Sequence, residues 1–294
     1  TLLISIGSAS RFSLSLGEGD ADRAAQAVGN ALAMMVLFGI LYTLCIEIFL
    51  VPLLNAFGAT QDVLPYAIEY TRITAVGMPL LIITNGMSNL ARADGSPNYS
   101  MMCMLIGAII NTILDPLFIF KFHMGVRGAA FATVIGQFFS FLMALYYVKK
   151  FTHIRLKKQH FILKPQVCLN IASLGMSNCL NQVAITFVQI VMNNSMTYYG
   201  AKTIYGSEIP LAASGIVMKT NGILLSVIIG LSQGSQPIIG FNYGAKKYSR
   251  VREAFWFSIQ SSLIVMSISA LIGIVFSAPI VRMFRDDPAV ISIG

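Results

Sequence analysis

The sequence predicts an all-α protein that crosses a membrane many times, and three observations carry that prediction. Of its 294 residues 56% are hydrophobic and only 11% charged, with a mean hydropathy of +0.73, so the chain has too little polar surface to close a soluble fold. The apolar residues fall in runs of roughly 20 or more, the length a helix needs to cross the hydrocarbon layer. The 20 lysines and arginines, which give a net charge of +8, gather in the breaks between those runs, as cytoplasmic loops of membrane proteins do. The basicity is topological, and no nucleic-acid partner is implied.

In chain order the runs place helical spans near 1–10, 27–54, 64–90, 98–120, 128–148, 167–199, 209–241 and 253–281, eight in all. The first opens at Thr1 inside an apolar segment with no signal-peptide arrangement, and the chain reads as a fragment. Alternating the loops between two sides puts thirteen basic residues on one side, among them Arg11, Arg23, Arg92, Lys149, Lys150, Lys157, Lys158 and Lys246. Five fall on the other: Lys121, Arg127, Lys202, Arg282 and Arg285. The first side is therefore cytoplasmic, and the protein is expected as a multi-pass plasma (inner) membrane protein. The long basic loop separates two parts: 1–150, a cytoplasmic connection at 151–165, and 166–294.

The chain also matches itself. At an offset of 227, residues 1–67 align without a gap on 228–294 with eleven identities, including Ser5/Ser232, Gly7/Gly234, Gly17/Gly244, Arg23/Arg250, Phe49/Phe276, Pro52/Pro279, Phe57/Phe284 and Val63/Val290. Each copy reads helix, Gly-containing cytoplasmic loop, helix, then Pro near the outer end. Both run in the same direction, so the repeat is parallel, and two such repeats need about six spans each.

Chemistry concentrates on one span. Asp115 lies deep in an apolar run, where an ionised group is costly. Asn111 is four residues earlier on the same helical face, and Pro116 removes a backbone donor beside them. Such a group can hold a proton or a cation. In 167–199, Asn178, Gln182 and Gln189 recur at helical spacing and are candidate cavity-lining residues, as is Lys219 in 209–241. Glu69 and Arg72, three apart on one helix, are expected to pair with each other.

Other patterns carry less. The four cysteines lie in apolar runs without CxxC spacing, so neither a disulfide framework nor a zinc site is expected. Gly230-Leu-Ser232-Gln-Gly234 has the GxSxG form but sits in an apolar helix without a preceding strand, and reads as a GxxxG close-packing pattern. His123, His153 and His160 lie in loops without ligand spacing and are expected to be solvated. No HExxH and no Ser/His or Cys/His pair supports an intramembrane enzyme.

Several segments, taken in order, resemble the multidrug and toxic compound extrusion family over essentially all 294 residues: Ser10-Arg11, Leu16-Gly-Glu-Gly-Asp20, Arg92-Ala-Asp-Gly-Ser-Pro97, the Asn111/Asp115-Pro116 span, Gly125-Val-Arg-Gly-Ala-Ala130, and Gly234 to Ala245. The resemblance implies two six-helix lobes about a central cavity, with residues 1–150 an N-lobe lacking its first helix and 166–294 a C-lobe lacking its last three. It implies a secondary antiporter that exports amphipathic or cationic compounds in exchange for protons or sodium, working as a monomer without a cofactor. Asp115, Asn111 and Thr133 would then form the ion-coupling cluster, with sodium at Asp115 as the one metal to consider. The span 167–199 lacks the glutamate that some members carry, so coupling through the N-lobe is expected. A lipid-linked saccharide flippase is the alternative; it would need several cations to hold a pyrophosphate, and only Arg72 and Lys219 lie clearly within spans.

Overall fold

The computed structural model describes residues 1–56, 64–200, 202, 208–276, 279 and 282. They form eight helices: α1 (Leu2–Gly17), α2 (Ala21–Ala56), α3 (Leu64–Ala93), α4 (Pro97–Pro116), α5 (Gly125–Tyr147), α6 (Pro165–Gly200), α7 (Glu208–Gly244) and α8 (Tyr248–Val275). There is no strand among the described residues, and seven helices are long and apolar enough to cross a membrane. The chain is thus an all-α, multi-pass membrane protein. The eighth, α1, runs past the expected 1–10 because nothing between Arg11 and Leu16 breaks a helix; Arg11 therefore lies within α1. Of the repeat, Phe57, Val63, Phe284 and Val290 lie outside the described residues, as does Arg285.

The repeat is visible in the backbone. α1 ends at Gly17 and α2 begins at Ala21; 227 positions on, α7 ends at Gly244 and α8 begins at Tyr248. Gly19 takes φ +80° and its counterpart Lys246 φ +57°. Further along, Phe49 interrupts α2 at φ −105°, ψ 18°, and Phe276 ends α8 at φ −109°, ψ 20°. The cause is shared: Pro52 and Pro279 stand three residues later, and a proline ring crowds the carbonyl four residues before it.

Two compact units emerge: Thr1–Asn178 with Gly240–Lys246, and Cys179–Ile239 with Lys247–Gly294. In the first, α3 packs against α1, α2, α4 and α5. Its core holds Phe12, Val28, Met35, Met87, Leu90 and Ile171, each at most 1% exposed. Glycines bring its backbones together: a Cβ on Gly7 would lie 2.0 Å from the Ile171 carbonyl oxygen, and one on Gly175 1.9 Å from that of Leu3. The repeat produces a second exchange. A Cβ on Gly17 would lie 2.0 Å from the Phe241 oxygen and one on Gly244 2.2 Å from the Leu14 oxygen, and residues 14 and 241 are themselves counterparts.

In the second unit, Gly230 and Gly234 meet nothing within 4 Å among the described residues, so no close approach at their GxxxG pattern is seen there. Large apolar side chains of α8 such as Phe257, Leu271 and Ile274 are exposed.

Candidate functional site

Asn111, Asp115 and Thr133 come together between α4 and α5. Gly107 and Gly136 allow it: a Cβ on Gly107 would lie 2.8 Å from the Gly136 oxygen, and one on Gly136 3.3 Å from Asn111 Cβ, so larger residues would push the helices apart. Asn111 Nδ2 donates to Asp115 Oδ1 at 3.2 Å and reaches Thr133 Oγ1 at 3.4 Å, while the Thr133 hydroxyl donates to the Ala129 carbonyl at 2.9 Å. All three residues are half-buried. Among the described residues no hydrogen bond engages Asp115 Oδ2 or Asn111 Oδ1. Two oxygen acceptors, one on a carboxylate, thus belong to side chains that touch within a membrane-spanning helix.

Pro116 does not break this helix. It keeps helical angles and the next residues, Leu117–Lys121, widen into a π-helical turn closed by Phe122 N–H donating to the Leu117 carbonyl at 3.0 Å. Such turns let a helix absorb a missing donor, and they occur often beside functional residues.

Gln137 was not singled out by sequence. It lies one turn beyond Thr133 on the same face of α5, and its Oε1 is buried without a partner among the described residues, against Gly77 of α3. The spacing 133/137/140, ending at the buried Ser140, was the signal available.

The outer charges pair across helices rather than along one. Arg72 Nε lies 3.4 Å from Glu47 Oε2, joining α3 to α2. Glu69 is gripped by both nitrogens of an Arg127 fork, with Nε donating at 2.9 Å, joining α3 to α5. The expected Glu69–Arg72 pair is thereby replaced: each finds a better-oriented partner on a neighbouring helix.

At the basic end the connection at 151–164 is fastened down. Asp94, 2% exposed, accepts from the Tyr147 hydroxyl at 2.8 Å and the Thr152 amide at 2.9 Å, and lies 2.9 Å from His153 Nδ1. Asn30, 1% exposed, donates to the His160 carbonyl at 3.0 Å and accepts from the Lys164 amide at 2.7 Å. His160 is buried too, with Nδ1 accepting from the Lys157 amide at 3.2 Å and Nε2 3.1 Å from Asp22 Oδ1. The Lys157 donor assigns Nδ1 as acceptor, so the proton sits on Nε2 and points at Asp22. His160 is thus an internal anchor rather than the solvated loop residue expected from its surroundings; His153 keeps half its side chain exposed, and His123 is exposed.

Asn178, Gln182, Gln189 and Lys219 are all exposed, and Gln189 Nε2 approaches Met218 Sδ at 3.8 Å. Among the described residues no cluster of His, Cys, Asp and Glu has the makings of a metal centre.

Relatives supply the context. The chain is similar to the multidrug export protein MepA of Staphylococcus haemolyticus, 28% identical over 79% of this chain and 50% of that protein. It is similar to an FAD transporter of Shewanella oneidensis, 26% identical over 94% of this chain and 61% of that protein. The chain therefore spans about half to three-fifths the length of these curated relatives. By fold it superimposes on a multidrug resistance MATE family transporter of the MOP superfamily in its outward-facing conformation, with a TM-score of 0.90, 22% identity and coverage of 99% of this chain and 64% of that one. A MOP superfamily transporter from Pyrococcus furiosus gives the same TM-score at 21% identity, with the same coverage. The sequence model of the MatE family matches residues 1–117 and 170–294, which is most of the chain and both copies of the repeat. On this match, and with the fold to support it, the chain belongs to the MatE family.

Proposed function

We propose that the chain is part of an antiporter that exports amphipathic or cationic compounds in exchange for protons or sodium, with Asp115 as the coupling acid. The observation that carries this is the intramembrane cluster of Asp115, Asn111 and Thr133. Its unengaged oxygens suit a proton on the carboxylate or a sodium ion shared with Asn111, and the widened helix after Pro116 gives α4 room to respond. Binding the ion stabilises one conformation of the lobe and releasing it the other, so an ion gradient drives export. Sodium here is cargo, held by carboxylate and amide oxygens of the kind hard cations prefer.

A second reading has one observation in its favour. The FAD transporter resembles this chain over nearly its whole length, which points to an anionic cargo. Against it, and against a lipid-linked saccharide flippase, Arg72 and Arg127 are each engaged by a glutamate, so neither guanidinium is offered to a phosphate. Lys219 remains exposed, too few cations for a pyrophosphate.

The test is ion-gradient-driven uptake into inverted vesicles of a cationic dye and, separately, of FAD, with the complete protein and its Asp115→Asn variant. Dye transport that falls to background in the variant, with membrane insertion intact, is the expected result. Undiminished transport by the variant would remove Asp115 from the mechanism, and transport of FAD alone would favour the second reading.

A further inference from the structure

Residues 157–164 join a buried anchor to an exposed apolar edge. His160 turns inward to Asp22, and the Lys158–Phe161 segment is a 3₁₀ turn, in which residues three apart lie on one edge. Lys158 and Phe161 therefore share an edge set away from His160, and both are exposed. The three residues that follow His160 are all large and apolar, and all uncovered: Phe161 at 41%, Ile162 at 66% and Leu163 at 42%. Lysines bracket them at 157, 158 and 164, and residues 149–164 contain six lysines and arginines and no acid.

The height of this segment follows from α2. Its 36 residues rise about 54 Å, against about 30 Å of hydrocarbon, so part of it stands outside the bilayer core. Exposed large apolar side chains on α2 begin at Val36 and continue through Val51. Asn30 lies six residues earlier, about 9 Å toward the end that the basic loops mark as cytoplasmic. The headgroups form a layer about 5–7 Å deep on each side, so Asn30 stands at its aqueous edge. Asn30 holds both ends of the apolar triplet, bonding the carbonyl of His160 and the amide of Lys164.

We propose that residues 157–164 dock on the anionic cytoplasmic leaflet, with Phe161, Ile162 and Leu163 entering the interface and Lys157, Lys158 and Lys164 pairing with lipid phosphates. A leaflet offers apolar depth and negative charge together, which is the combination this segment presents. Because Asn30, Asp94 and His160 fasten the connection to the first unit, its lipid contacts are transmitted to that unit and not lost in a slack linker. The inference does not depend on ion coupling at Asp115.

Trp256 is the one tryptophan of these 294 residues, and any outside them is replaced by Phe along with it. In a Trp256→Phe background, Ile162→Trp places an indole in the triplet, and the protein is reconstituted in mixed phosphatidylglycerol and phosphatidylcholine vesicles with bromines on the acyl chains of one lipid or the other. The expected result is quenching by both, at least about twofold stronger when the bromines are on phosphatidylglycerol, since each lysine near an anionic surface favours it about fivefold. Replacing Lys157, Lys158 and Lys164 by Gln should abolish that preference while quenching persists. Absence of quenching would overturn docking, equal quenching by the two lipids would overturn the anionic partner, and shielding that grows only with protein density would assign the surface to a second copy instead.

Discussion

Asn30→Ala tests how firmly the basic connection at 151–164 is held. The side chain is 1% exposed and makes two bonds to the connection, Nδ2 to the His160 carbonyl at 3.0 Å and Oδ1 from the Lys164 amide at 2.7 Å. A hydrogen bond contributes about 1 kcal/mol net, and a buried group left without its partner costs about 1–3 kcal/mol. Two stranded groups therefore favour local opening by about 2–6 kcal/mol, which is roughly 30- to 25,000-fold in the opened population. Trypsin reads that population, because cleavage of a native segment follows its opening when reclosing is fast. Arg155, Lys157 and Lys158 supply the cleavage sites. The variant should be cut there at least about 30-fold faster than the parent at the same enzyme ratio, with cleavage elsewhere unchanged. A rate within about twofold of the parent would refute the reasoning, since opening would then not require breaking these bonds.

Three further outcomes follow from the packing. Tyr147→Phe deletes only the hydroxyl that donates to Asp94 at 2.8 Å and should lower stability by about 1–2 kcal/mol, read as a fall in Tm of a few degrees in detergent. Gly17→Ala and Gly244→Ala should each destabilise by about 1–3 kcal/mol, because each methyl meets a backbone oxygen; the double variant should cost less than the sum, as a single separation of the two helix ends relieves both clashes. Glu69→Arg should impair transport by setting two cations against each other, and adding Arg127→Glu should recover it, measured as dye efflux; failure of the swap to recover activity would show that the pair matters for more than its attraction.

What could be read from the sequence was what one helix decides by itself. Four-residue spacing puts Asn111 and Asp115 on one face, and the structure bonds them; the apolar runs locate eight helices with ends off by up to seven residues. Thr133 entered through a family resemblance, since nothing local ties it to a residue 22 positions away. Where two partners compete, the nearer in sequence was the wrong guide: Glu69 passes over Arg72 for Arg127, 58 residues on, because α3 and α5 aim those side chains at each other. His160 was opaque for the same reason, as its burial depends on Asp22 and Asn30, more than 100 residues earlier. Gly230 and Gly234 show the converse, a pattern for contact that meets nothing among the described residues.

The two turns after α1 and α7 hold the same left-handed backbone, with glycine at 19 in one and lysine at 246 in the other. A side chain in that conformation costs about 1 kcal/mol, so the second copy carries a toll that the first avoids. The second turn takes this shape without the residue best suited to it, so the flanking helices hold it there. Two copies of one crossing can thus share a geometry with different residues at the tight point, and Lys246→Gly should add stability to the second turn without altering its path.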